Sequence, residues 1–261
     1  MNPEGIFGLS NNLVVISTAL VLHIVIFYQL LKADSVSVRP VLAFFLLMSI
    51  VNFMGAKVFS LYFRDWQLMT PLSREFISGW RHPGALITTV IFGPLLLKKC
   101  FPAIPILKGV DAFAFSFCFF IALTRFSCFL NGCCTGEICS EWYCLTYPRE
   151  SAVWFHQVNH HTIFFSAPSS LAVFPAHLLL GALELAASGA LLWLYFNKRF
   201  DGQVGIAFLV IQGVCKAIAE QYKSPYANEL FIAAILTTTL GLALIAGTRR
   251  HWGLTSQSQD S

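Results

Sequence analysis

The chain has 261 residues, of which 56% are hydrophobic and 11% charged, and its mean hydropathy is +0.68. That is far too apolar for a soluble domain of ordinary composition, so the bilayer must act as its solvent. The 25 phenylalanines suit lipid-facing helix surfaces, and the net charge of +4 reads as a topology signal, with no sign of a nucleic-acid partner.

A membrane-crossing helix needs roughly 20 mostly apolar residues. The sequence predicts such segments at 12–31, 41–63, 83–98, 109–131, 175–196, 203–222 and 227–247. The expected fold is an all-α integral membrane protein with seven transmembrane helices, forming one polytopic domain over 1–254. The polar stretch 255–261 is expected to be a disordered tail. No short apolar run leads into a small-residue cleavage site, so the first segment is expected to be its own insertion signal. The third is short and can open as a half-buried turn at His82–Pro83, since proline is accommodated in a first helical turn.

Between these segments, Lys32, Arg39, Lys98, Lys99, Lys108, Lys198, Arg199, Arg249 and Arg250 fall on one side. Arg64, Arg74, Arg81, Arg149 and Lys223 fall on the other. The excess of basic residues predicts a cytoplasmic C-terminus and an external N-terminus. The connection from about 132 to 174 then becomes an external loop or head region between the fourth and fifth spans. It carries Cys133, Cys134, Cys139 and Cys144, for which one or two disulfides and four thiols both remain open, with no connectivity set by the sequence.

An ionisable group inside a span costs several kcal/mol unless it is paired or wetted, so each one is a functional candidate. His82, Arg125, His177, Lys216 and Glu220 all map to the external half of the predicted bundle. Lys216 and Glu220 are four residues apart, and Gln212 extends the same stripe, as on a polar face turned into a bundle. A catalytic pair and a structural ion pair fit that spacing equally. Glu184 is expected to hydrogen-bond a neighbouring helix in its neutral form, Lys57 is close enough to the outer end of the second span to snorkel, and His23 is expected to be a satisfied bundle histidine.

The strongest local signal is the run Thr124-Arg125-Phe126-Ser127-Cys128-Phe129-Leu130-Asn131-Gly132-Cys133-Cys134-Thr135-Gly136, in which a helix ends in a glycine-bounded turn. Arg125, Cys128 and Gly132 share one helical face. A planar guanidinium at the edge of the bilayer core can grip a lipid phosphate through two parallel hydrogen bonds, although an arginine that merely snorkels would sit there too.

This segment resembles the signature of the bacterial prolipoprotein diacylglyceryl transferases, an Arg-Ile-Gly-Asn-Phe-Ile-Asn-Gly run followed by a further glycine. Asp111 upstream, Trp142 and Tyr147-Pro148 downstream, Phe174-Pro175-Ala176-His177-Leu178 with Glu184, Gly213 to Glu220, and His82-Pro83-Gly84-Ala85-Leu86 are similar to other elements of that family. The resemblance runs from about 80 to 225, and the family's seven spans with an external N-terminus agree with the topology read from the loops. It implies transfer of a diacylglyceryl group from phosphatidylglycerol to the cysteine thiol of a lipoprotein precursor, in the bacterial cytoplasmic (inner) membrane, with no metal and no cofactor.

Carried over by position, the resemblance implies catalytic roles for His82 as base, Arg125 as headgroup clamp, Lys216 beside the leaving group and Glu220 fixing it. The implied substrate-binding set is Arg125, Cys128, Asn131, Gly132, Gly136 and His177. Cys128 replaces the signature asparagine, Cys133 an acidic residue, Pro83 a glycine, Lys216 an arginine and Phe174 a histidine. These departures cluster at the site and mark a divergent member. A transferase that uses the same phospholipid donor with a different acceptor fits these departures as well, and two other function classes are compatible with the residues. One is a non-catalytic lipid-binding subunit; the other is a redox or metal-binding membrane protein built on Cys128, Cys133, Cys134, Cys139, Cys144, His160 and His161.

Overall fold

The structure, a computed structural model, describes residues 11–62 and 82–222, together with Leu240. The helices are α1 (Asn11–Leu31), α2 (Val38–Tyr62), α3 (His82–Cys100), α4 (Ile106–Asn131), α5 (Ala152–Asn159), α6 (Ala176–Asn197) and α7 (Gln203–Glu220). No strand occurs among the described residues, only three isolated bridges in the segment between α4 and α6. α1, α2, α4 and α6 are each long and apolar enough to cross a membrane, and α7 contains a shorter apolar stretch, Gln203–Ala219. The predicted segment 227–247 and the tail 255–261 lie outside the described residues.

The helix ends follow local chemistry. α1 closes through a 3-10 turn, Lys32–Asp34, into Ser35 in the left-handed region (φ 58°). α2 begins at Val38, with Pro40 in its first turn, where its missing N–H leaves no helical bond unmade. α4 starts directly after Pro105 and ends at Gly132 (φ 65°). Pro94 lies inside α3, a placement membrane helices accommodate through neighbouring groups.

α4 is the central helix, packed against α1, α3, α6 and α7, while α2 packs chiefly on α3. Two cores flank it. On one side Phe27, Phe44, Phe45, Phe101 and Phe113 interlock with ring centroids 5.4–6.4 Å apart. On the other, Phe115, Leu180, Leu191, Phe208 and Leu209 join α4, α6 and α7. Offset and edge-on aromatic pairs each add about 0.5–1.5 kcal/mol beyond the area they bury. The outward faces are apolar as well: Leu46, Leu95, Leu185 and Phe196 are exposed, the pattern of helices solvated by lipid. His23 packs among Phe45, Phe113, Phe117 and Phe120 as a bundle histidine, but its buried Nδ1 has no hydrogen-bond partner among the described residues, so it is not the fully satisfied histidine expected. Lys57 does not snorkel; it is buried, with its ammonium 5.4 Å from the centre of the Phe53 ring.

Loop charges at one end of the bundle are tied to each other. Lys108 pairs with Asp34 at 2.7 Å. Asp111, fully buried, accepts from Lys198 Nζ (2.7 Å), Gly202 N–H (2.9 Å) and Gly205 N–H (3.0 Å). This carboxylate therefore pins the α6–α7 turn to the first turns of α4. Burial alone would lower the Lys198 pKa, but Asp111 and Asp201 outweigh it and hold the ammonium charged above its usual range.

At the opposite end, residues 132–175 form a small head. Leu145 and Val173 exchange both backbone hydrogen bonds (2.9 and 3.0 Å), and Trp154 Nε1 donates to the Ala167 carbonyl. Ser151 caps α5 through its hydroxyl. Cys139 and Cys144 are disulfide-bonded, which resolves part of the open cysteine question with one pair.

Candidate active site

The head meets the bundle where α4, α6 and α7 converge. Arg125 occupies the penultimate turn of α4 and Glu184 lies in the third turn of α6; Nε and Oε2 are 3.2 Å apart, with the carboxylate fully buried. Gly181 permits this approach, since a Cβ there would lie 3.0 Å from Arg125 Cβ. Glu184 thus makes the interhelical hydrogen bond expected from the sequence, but to a guanidinium, as an ion pair rather than in a neutral form. Lys216, buried on α7, interacts electrostatically with both Glu184 and Arg125. One turn away, Gln212 donates to Cys118 Sγ at 3.5 Å, locking α7 to α4.

A second layer of polar groups covers this cluster from the head. His177 Nε2 and Tyr147 Oη are 3.0 Å apart, both side chains being buried. The Tyr147 pKa is pushed up to about 12, by burial first and then by the Cys133 and Cys128 thiols. Its ring lies over Gly132, where an added Cβ would come within 2.7 Å of Cδ1 and would also have to adopt φ 65°. Gly136 is a close-approach position of another kind: a Cβ would run into the Tyr222 carbonyl oxygen and Phe174. Its N–H donates to Phe174 O (2.8 Å), and Glu137 N–H donates to Tyr222 O (3.1 Å), so this turn ties the head to the ends of α6 and α7.

The end of α4 is a Schellman turn. Gly132 N–H reaches the Phe129 carbonyl and Cys133 N–H reaches the Cys128 carbonyl at 3.1 Å, which folds the chain back over the last helical turn. The sulfurs of Cys128, Cys133 and Cys134 consequently lie within 4.8 Å of one another. Contacts with Cys128 and Cys134, together with burial, push the Cys133 thiol pKa up.

Of the residues singled out from the sequence, Arg125, Lys216, Cys128, Gly132, Gly136 and His177 gather in this region. Asn131, the last residue of α4, is exposed. His82 is the first residue of α3 and Glu220 the last of α7, but their side chains lie outside the description, so the expected Lys216–Glu220 pair does too. Tyr147 went unrecognised as a partner of His177. Its only sequence signal was the Tyr-Pro resemblance, which says nothing about a contact 30 residues away.

A profile described as prolipoprotein diacylglyceryl transferase matches residues 12–248, nearly the whole chain. The chain belongs to that family. Comparison with curated proteins yields no match. Membership in the prolipoprotein diacylglyceryl transferase family makes this a membrane transferase of lipoprotein biosynthesis at the family level. The match also extends well before residue 80, where the resemblance of individual motifs faded.

Proposed function

We propose that the chain transfers the diacylglyceryl group of phosphatidylglycerol to the cysteine thiol of a lipoprotein precursor and releases glycerol phosphate. The observation that carries this reading is the Arg125–Glu184 pair beside Lys216. Glu184 engages Nε, and the two terminal guanidinium nitrogens are the prongs that would hold two phosphate oxygens. Arg125 and Lys216 flank Glu184, so two cations stand where the phosphate of a phosphodiester would be held.

In the reaction, the acceptor sulfur forms a bond to the glyceryl carbon as that carbon's bond to the phosphate oxygen breaks. The bonding pair leaves with glycerol phosphate, whose second negative charge develops in the transition state. Arg125 and Lys216 oppose that charge, the kind of interaction that accelerates chemistry because it strengthens as the reaction proceeds. His82 takes the thiol proton, since the thiolate is the competent nucleophile. Glu220 fixes Lys216. Gly132 and Gly136 shape the turn above the phosphate, with Cys128, Asn131 and His177 lining the headgroup.

The same reading puts seven spans across the bacterial inner membrane, as one domain over 1–254, with the head and N-terminus external and the C-terminus cytoplasmic. It rests on the basic residues collected at the lysine-rich end of the bundle. The decisive experiment is complementation of a transferase-depleted bacterium, with mass spectrometry of a lipoprotein precursor. A diacylglyceryl-sized increase on its cysteine is expected. Growth failure together with unmodified precursor, from a stably inserted chain, would reject the activity.

A further inference from the structure

We propose that Cys128, Cys133 and Cys134 form a three-sulfur binding site for a thiophilic cation, Zn²⁺ or Cu⁺, at the head end of α4. The site does not depend on the transferase reading.

The Schellman turn explains why two of the sulfurs meet. In this motif the third residue from the helix cap and the second residue beyond it are brought side by side, and here those residues are Cys128 and Cys133. Cys134 adds the third through a left-handed backbone (φ 57°), a conformation uncommon for a residue other than glycine and costly enough to need a reason. All three Sγ atoms lie within 4.8 Å of one another. A Zn–S bond of about 2.3 Å puts the sulfurs of a tetrahedral site roughly 4 Å apart, so small side-chain rotations close the shell.

Ligand chemistry then selects the ion. Three thiolates and no carboxylate favour Zn²⁺ or Cu⁺ over the hard cations Mg²⁺, Ca²⁺ and Mn²⁺. Binding releases the three thiol protons to solvent and changes no oxidation state. The excess negative charge of three thiolates has a counter-charge at hand, because Arg125 interacts electrostatically with Cys128 and Cys134. No further His, Cys, Asp or Glu joins the three among the described residues, so a tetrahedral ion keeps one position for an external ligand. Cys139 and Cys144, the other cysteines of the head, are occupied with each other.

The test uses the full untagged chain in detergent, with Zn²⁺ and Cu⁺ offered separately, desalting, and metal and protein measured on the same sample. One equivalent of at least one ion is expected, and which ion is retained identifies the cargo. Co²⁺ should give sulfur-to-metal charge-transfer absorption. Cys128→Ser and Cys133→Ser should each weaken binding at least 10-fold. In the wild type, bound metal should protect the peptides carrying Cys128, Cys133 and Cys134 from alkylation, a readout that does not depend on how the variants fold. Failure to retain either ion would overturn the site, as would equal retention by both serine variants or a disulfide within the trio in the isolated chain.

Discussion

Arg125 Nε and Glu184 Oε2 meet at 3.2 Å across the α4–α6 interface, and that contact holds the guanidinium in place. Arg125→Lys keeps the positive charge and removes the planar fork. Headgroup release from phosphatidylglycerol should fall on the order of 10²-fold, comparable to deleting a well-placed oxyanion donor. An arginine that only anchors α4 would be replaced by lysine with little loss, so near-equal rates at equal yield would reject the clamp. Glu184→Ala strands the buried guanidinium and should destabilise by about 3–5 kcal/mol, read by thermal unfolding in detergent.

Asp111 should matter for stability rather than chemistry. Asp111→Ala leaves the Gly202 and Gly205 N–H groups without their acceptor and Lys198 with Asp201 alone, at about 1–3 kcal/mol for each buried group stranded. Because Lys198 is raised in the folded state, its pairing contributes stability in full below the ordinary lysine pKa. That contribution is lost as pH rises through the folded value. Unfolding temperatures measured from pH 8 upward should therefore fall more steeply above about pH 10.4 in the wild type than in Asp111→Asn. Parallel curves would refute the linkage.

Tyr147 should resist ionisation. Its pKa of about 12 means that the His177 contact survives through the range where ordinary tyrosines titrate, near pH 10. A raised pKa favours the folded state below pH 10 and loses that contribution toward pH 12. Tyrosinate absorption in the wild type and Tyr147→Phe should differ by one late-titrating group. A difference centred near pH 10 would show that the ring is not enclosed by the head.

The Cys139–Cys144 pair offers a test of both folding and sidedness. Closing so short a loop should contribute about 2 kcal/mol, so reduction should lower the unfolding temperature without altering lipid selectivity. In intact cells, an impermeant alkylating reagent should label both cysteines only after reduction. Reporter fusions should place Glu150 outside and Asp201 in the cytoplasm. A Glu150 fusion active only in the cytoplasm would invert the topology.

Much of the architecture was legible along the chain. Span positions follow from runs of apolar residues, and a bilayer imposes that length whatever the partners are. Predicted boundaries such as 109–131 and 175–196 differ from α4 and α6 by no more than three residues. Arg125, Lys216 and His177 stood out because an ionisable residue in a span is costly wherever it packs.

The sequence by itself thus determined a helical membrane protein, the extent of the long helices among the described residues and which charges needed company, though not the short α5 of the head; contacts across space were decided only by the tertiary structure. Glu184 was legible as an interhelical hydrogen-bonder, but that its partner is the charged Arg125, 59 residues earlier, is set by the packing of α6 on α4. Cys128, Cys133 and Cys134 have no regular metal-ligand spacing, yet a left-handed Gly132 turns them onto one point. Periodicity is a property of one helix. Which side chain compensates a buried charge depends on the two helices that exclude lipid and water around it, and that is settled by packing.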